Sequence, residues 1–188
     1  MTEQSDEELL YAMTHNEDQN AFSDLVLRHS HRFYKLAWRM VANDQDAEDI
    51  VQDAFVKLWR NPAAYDPDKG AKFTTWFYTV VTNLCLDFKR RGKNVSFINP
   101  DKTQLSSSQN IEEEYKDAEQ SDLLEKAIQD LPARQKAALN LCFYEGLANK
   151  DAAEVLGVNV KALESLLMRA KGNLRDILLR QDVLDEAG

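Results

Sequence analysis

Asp46-Ala-Glu-Asp-Ile-Val-Gln-Asp-Ala-Phe-Val-Lys-Leu-Trp59 is the stretch whose reading decides the fold. Ala47, Ile50, Val51, Ala54, Phe55, Leu58 and Trp59 recur at i, i+3, i+4, i+7, i+8, i+11 and i+12. That period is an unbroken buried stripe on an α-helix. Asp46 is the expected cap, with Asp49 near the third position, and the opposite face carries Asp46, Asp49, Gln52 and Asp53. The next stretch, Asn61-Pro-Ala-Ala-Tyr-Asp-Pro-Asp-Lys-Gly70, stops the helix with two prolines and a glycine.

Helical spacing continues on both sides. Ser5 and Glu8 form a capping box for a short first helix. Phe22, Leu25, Val26, Phe33, Leu36, Ala37 and Met40 mark one face of a long second helix. Arg28, Arg32, Lys35 and Arg39 run opposite, the pattern of a solvated face. A fourth helix is expected from Phe73 to Arg91, with Phe73, Phe77, Val80, Val81, Leu84 and Phe88 inward and Gly92 as its C′ residue. Tyr78, Thr79, Thr82, Asn83 and the basic turn Lys89-Arg90-Arg91 are left as a polar surface. No run alternates with period two, so the chain reads as all-α.

Residues 93–121 change character, with Ser106-Ser107-Ser108, the acidic run Glu112-Glu113-Glu114 and few apolar residues. They read as a flexible linker between a domain over 1–92 and a second over 122–188. As a coil it averages roughly 30 Å end to end, and drawn out it reaches roughly 100 Å. In the second domain, a short helix from Asn149 to Leu156, the turn Gly157-Val158 and a longer helix from Val160 to about Leu179 make a helix-turn-helix. Asn159 is placed to cap the longer helix. Val160, Leu163, Leu167, Ala170 and Leu174 are expected inward; Lys161, Glu164, Ser165, Met168 and Arg169 outward. In a DNA-binding helix-turn-helix such residues meet base edges in the major groove, although helical hairpins in bundles mimic the pattern and many tri-helical modules bind only protein. Lys150, Lys161, Arg169, Lys171 and Arg175 are candidates for phosphate contact.

Composition narrows the function further. The 188 residues carry a net charge of −9. The N-terminus has neither a basic start nor an apolar core of the signal-peptide kind, and no run spans a bilayer, so a soluble intracellular protein is expected. The only cysteines, Cys85 and Cys142, lie far apart, which argues against a disulfide framework and a cysteine zinc site. The histidines, His15, His29 and His31, show no ligand spacing. No Ser/His/Asp order or Gly-rich phosphate loop is present, so nothing makes a case for an enzyme, a cofactor or a metal.

These motifs together resemble a bacterial sigma-70 class sigma factor of the extracytoplasmic-function (ECF) type. Asp46–Trp59 is similar to the family's region 2.2. Phe73–Asn83 with Leu86–Arg91 is similar to regions 2.3 and 2.4. Leu131-Pro-Ala-Arg-Gln135, Glu145-Gly-Leu147 and Ala152–Gly157 through Lys171 are similar to region 4. The resemblance implies a promoter-specificity subunit of RNA polymerase. It places Asp49, Gln52 and Asp53 against the clamp of the core polymerase. Tyr65, Lys72, Phe73, Thr75, Trp76, Tyr78, Thr79, Thr82, Asn83, Lys89, Arg90 and Arg91 would bind and open the −10 element. Lys150, Lys161, Ala162, Glu164, Ser165, Met168, Arg169 and Lys171 would bind the −35 duplex. It further implies cytoplasmic action and an anti-sigma partner that holds the protein inactive, with the two domains mobile when free. A glutamate on a recognition helix can accept a hydrogen bond from cytosine N4, which makes Glu164 a candidate base reader. The alternatives are pairing of Glu164 with Lys161 or Lys171, or a solvated side chain. Two other functions fit parts of the pattern: a free-standing helix-turn-helix regulator, and a sigma-like decoy for an anti-sigma protein. The aromatic-threonine segment beside an acidic helix favours the sigma factor, since neither alternative needs both.

Overall fold

The structure, a computed structural model, describes residues 4–95 and 122–186. Most of the expected linker 93–121 lies outside the described residues. Helix α1 (Asp6–Asn16) begins at the expected capping box: Glu8 N–H donates to Ser5 Oγ, and Ser5 N–H to Glu8 Oε2 at 2.7 Å. Helix α2 (Gln19–Val41) is capped by Asp18, which accepts from the Asn20 and Ala21 amides. Helix α3 (Asp44–Arg60) starts two residues earlier than Asp46, because Asn43 is the cap and accepts from Asp46 N–H at 3.0 Å. Its stripe Ala47, Ile50, Val51, Ala54, Phe55 and Leu58 is buried. Trp59, expected at the end of that stripe, is 37% exposed and lies against Phe22.

Two 3-10 turns, Pro62–Ala64 and Pro67–Lys69, carry the chain to α4 (Phe73–Val95). The helix passes through Gly92 instead of stopping there. Phe88, expected inward, is 38% exposed. An aromatic cluster joins the helices: Phe33 of α2 stands edge-on to Phe77 at 4.7 Å and to Tyr78 at 5.0 Å, while Phe55 of α3 meets Phe77 at 4.8 Å. Each such fully buried ring is worth ~1.5–3 kcal/mol of burial.

In the C-terminal half, helix α5 covers 122–129 and α6 spans Ala133–Leu139. The latter runs on into a π turn at Asn140–Tyr144. Helix α7 is Asn149–Val155, and α8 extends from Val160 to Glu186, beyond the expected end near Leu179. The turn between α7 and α8 closes as a Schellman motif, with Val158 N–H reaching Ala153 O at 3.0 Å and Gly157 at φ 62°. Only a residue without Cβ adopts that left-handed conformation at no cost. Asn159 caps α8 by accepting from Ala162 N–H at 2.8 Å, as expected. Val160 does not point inward; it is 40% exposed at the start of the helix.

The halves share a core. Met40, Tyr78 and Val81 belong to the same buried cluster as Ala137, Ala138, Leu141 and Ala152. A smaller cluster of Ile128, Leu131, Leu139 and Ala170 belongs to the C-terminal half alone. In this structure the two halves are packed together. Among the described residues no helix is long and apolar enough to cross a membrane.

Candidate polymerase and promoter-binding surfaces

Asp49, Gln52 and Asp53 are exposed along the outer face of α3. Beside them an apolar groove of about 520 Å³ opens between α2 and α3, walled by Phe22, Val26, Tyr34, Val51 and Phe55, with Gln52 at its rim. Carboxylates on a rim around apolar surface suit a protein partner and repel phosphate.

The loop after α3 is shaped locally. Asp66 accepts from Asp68 N–H at 3.0 Å, and Gly70 takes φ 78°. Tyr65 is buried, its hydroxyl donating to Ala71 O at 3.0 Å and its ring edge-on to Phe73. Burial, helped by the carboxylates of Glu7, Asp6 and Asp66, raises its phenol pKa. A cavity of about 480 Å³ lies between this loop and α1, lined by Tyr11, Pro62, Tyr65, Pro67 and Lys69 among others.

Helix α4 divides the other residues of this surface. Lys72, Asn83, Arg90 and Arg91 are exposed; Thr75, Trp76, Thr79 and Lys89 are half-buried. Thr79 donates to Thr75 O at 3.3 Å, Lys89 Nζ to Val41 O at 3.4 Å, and Arg90 pairs with Asp87 at 3.2 Å. Tyr78 and Thr82, expected on the polar surface, are buried at 3% and 0% exposure, and Phe73 is core at 1%. The reason is tertiary: Tyr78 donates its hydroxyl to Glu145 Oε2 at 2.6 Å, and Thr82 lies one turn further on the same face. Burial and that hydrogen bond push the Tyr78 phenol well above its usual pKa.

The helix-turn-helix exposes most of its expected row, but not Ser165. Lys150, Lys161, Glu164, Met168, Arg169 and Lys171 are exposed, while Ala162 and Ser165 are half-buried. Ser165 donates to Lys161 O at 3.0 Å. Among the described residues no ion pair holds Glu164. Lys171 Nζ sits 5.2 Å above the Phe143 ring. None of these groups converges on a reacting centre, and among the described residues no cluster of three or more His, Cys, Asp or Glu could hold a metal.

Residues 25–95 match the model of sigma-70 region 2, and residues 121–174 match that of sigma-70 region 4. The RNA polymerase sigma factor SigV of Bacillus subtilis is 32% identical over 158 residues, covering 84% of this chain and 91% of that protein. The chain belongs to the sigma-70 family, as a sigma factor of the ECF type. The ECF RNA polymerase sigma factor SigE of Mycolicibacterium smegmatis is also 32% identical, over 163 residues; the match covers 85% of this sigma factor and 62% of SigE. Among solved structures, CnrH in complex with the cytosolic domain of CnrY superposes with a TM-score of 0.65 at 25% identity, covering 93% of this chain and 97% of that one.

Several features of the sigma factor escaped sequence reasoning. Glu145 bridges Arg39 and Tyr78; Asp6 holds His29 and Arg28; Lys136 is buried. The Glu145 and Asp6 ties join residues more than twenty positions apart, so no local period announces them.

Proposed function

We propose that this sigma factor directs core RNA polymerase to promoters whose −10 and −35 elements are read by separate halves of the chain. Residues 1–92 form the core-binding and −10 module, 93–121 the linker, and 122–188 the −35 module. Asp49, Gln52 and Asp53, with the neighbouring groove, dock on the polymerase clamp. The loop around Tyr65 and the start of α4, from Lys72 to Asn83, engage the opened −10 strand, and Lys89, Arg90 and Arg91 contact its phosphates. The row from Lys161 to Lys171 on α8, with Lys150 on α7, enters the −35 major groove. The protein acts in the cytoplasm beside polymerase and catalyses no step itself.

The observation that carries this reading is the coexistence of two surfaces of opposite character. One is an acidic helix face edging an apolar groove. The other is a helix-turn-helix presenting Lys161, Arg169 and Lys171. A free-standing regulator needs only the second, and a decoy need not have DNA-reading residues. An anti-sigma partner is part of the proposal, supported by the likeness to CnrH, whose structure was solved with the cytosolic domain of CnrY.

In vitro transcription with bacterial core polymerase and genomic fragments tests it. Discrete transcripts that depend on this chain are expected, as is their loss in an Asp49→Lys/Asp53→Lys variant that no longer binds core. Failure both to bind core and to yield transcripts would overturn the reading.

A further inference from the structure

Lys89, Arg90 and Arg134 face one groove where α4 meets α6. Its volume is about 510 Å³, and Asn83, Leu86, Asp87 and Ala133 complete the lining. That lies within the ~300–1,000 Å³ of small-molecule sites. The cations come from both halves of the chain, two from the distal part of α4 and one from the first turn of α6.

The charge there runs against the rest of the molecule, which carries −9 as a whole. Four cations, Lys89, Arg90, Arg134 and the buried Lys136, stand against the carboxylates of Asp87 and Asp130. Lys136 registers the excess: burial lowers its pKa, and the nearby Lys89 cation lowers it further. A cleft lined by one sign of charge over low-dielectric walls focuses the field into its mouth. A multiply charged anion seated in it would relieve the repulsion.

The ties already made leave donors for such a ligand. Arg90 Nη2 pairs with Asp87 Oδ1 at 3.2 Å on exposed surface, where water and salt weaken the pair. Arg134 Nη2 donates to Leu156 O at 3.0 Å, which fixes the guanidinium at the groove wall. Each guanidinium has five N–H donors in a planar fork that matches phosphate oxygens two at a time. Lys89 Nζ reaches Val41 O at 3.4 Å, a long hydrogen bond. The rest of the lining is of another kind. Asn83, Leu86, Asp87 and Arg90 follow the spacing i, i+3, i+4, i+7, so Asn83 stands ~10 Å along α4 from Arg90. Leu86 and Ala133 give apolar surface, and the exposed Asn83 amide offers a donor and an acceptor side by side. The Asp87 carboxylate, between them, can accept from a sugar hydroxyl.

We propose that this groove is a binding site for a nucleoside polyphosphate. Lys89, Arg90 and Arg134 hold the phosphates, Leu86 and Ala133 lie against the base, and Asn83 meets its edge. The site is separate from the promoter reading proposed above, although Lys89 and Arg90 serve in both.

The test uses the full chain without DNA or polymerase, so its failure leaves the promoter reading untouched. Calorimetric titration with ATP, AMP and inorganic pyrophosphate at 0.15 M salt, where diffuse attraction between exposed charges is largely screened, measures binding. An azido-ATP crosslink followed by peptide mass spectrometry locates it. Saturable ATP binding is expected, with AMP and pyrophosphate each weaker by roughly tenfold or more and crosslinks on residues 83–90 or 133–134. Arg134→Ala is expected to weaken ATP roughly tenfold, and Arg90→Ala, on exposed surface, serves in case the first variant folds poorly. Lys161→Ala/Arg169→Ala, on the far helix-turn-helix, should leave the affinity unchanged. Absence of saturable binding, crosslinks only elsewhere, or an equal loss in the Lys161/Arg169 variant would overturn the site. Pyrophosphate binding as tightly as ATP would overturn the nucleoside as its ligand.

Discussion

Lys136 offers a quantitative test of the interior. It is 3% exposed, and its ammonium donates to Gln129 O and to Gln129 Oε1, both at 2.8 Å. Burial, reinforced by the neighbouring Lys89 cation and only partly offset by Asp130, lowers its pKa from 10.5 to about 8. At pH 7 the amine is charged in the folded and the unfolded chain alike, so the burial penalty is fully present. As pH rises through about 8 the folded protein sheds the proton, while the unfolded chain holds it up to 10.5. Stability from this group therefore rises with pH across that window. The full shift would return ~2.5 kcal/mol between pH 7 and pH 10, and residual solvation reduces this to ~1–2 kcal/mol. Lys136→Met abolishes both the penalty and the two hydrogen bonds. At pH 7 the variant is expected to be as stable as the parent or up to ~1 kcal/mol more stable, as when apolar groups replace buried charge. At pH 10 it should have lost ~1–2 kcal/mol relative to the parent, since the neutral amine keeps its bonds without the penalty. Urea unfolding of both proteins at the two pH values measures the difference, and titrations common to both cancel. A stability difference that is the same at pH 7 and pH 10 would refute the reasoning.

Other outcomes follow from the same geometry. Burial pushes the Cys85 thiol up to about 12 and raises that of the half-buried Cys142 less. Iodoacetamide at pH 8 should label Cys142 in the native protein and Cys85 only in denaturant; equal native labelling by peptide mass spectrometry would contradict the packing. Asp6 pairs with Arg28 at 2.6 Å and with His29 at 2.8 Å, which pins α1 to α2. Asp6→Ala should cost ~1–2 kcal/mol in urea unfolding and speed exchange throughout α1. Glu164→Ala should relax preference at one −35 base pair in a promoter library; an unchanged preference removes Glu164 from base reading.

Periodicity alone was enough for most helices because each has one wet and one dry face. Ala47 to Leu58 is buried as its spacing requires. The α7–α8 turn was equally legible, since Gly157 and Asn159 act on neighbouring backbone. Errors clustered where local signals compete. Asn43 took the cap from Asp46, both being good acceptors one turn apart. Gly92 reads as a stop in the sequence, yet α4 continues through it. Trp59, Phe88 and Val160 fall near helix ends or where no neighbour covers them, so their apolar character did not bury them.

The polar face of α4 shows the deeper limit. Tyr78, Thr79, Thr82 and Asn83 look alike in sequence, as hydrophilic positions opposite a core stripe. Two of them are buried and the other two are not. For Tyr78 the partner is Glu145, sixty-seven residues away along the chain.

The sequence by itself determined the helices, their dry faces and the helix-turn-helix, because those depend on contacts within a few residues and on the 3.6-residue period. Only the tertiary structure decided that the two halves share a core, that one carboxylate joins α2, α4 and the π turn, and that Lys136 is held in a dry setting. The shared core and the Glu145 ties bring together residues whose sequence separation carries no periodic signal, so they exist only once the chain has packed.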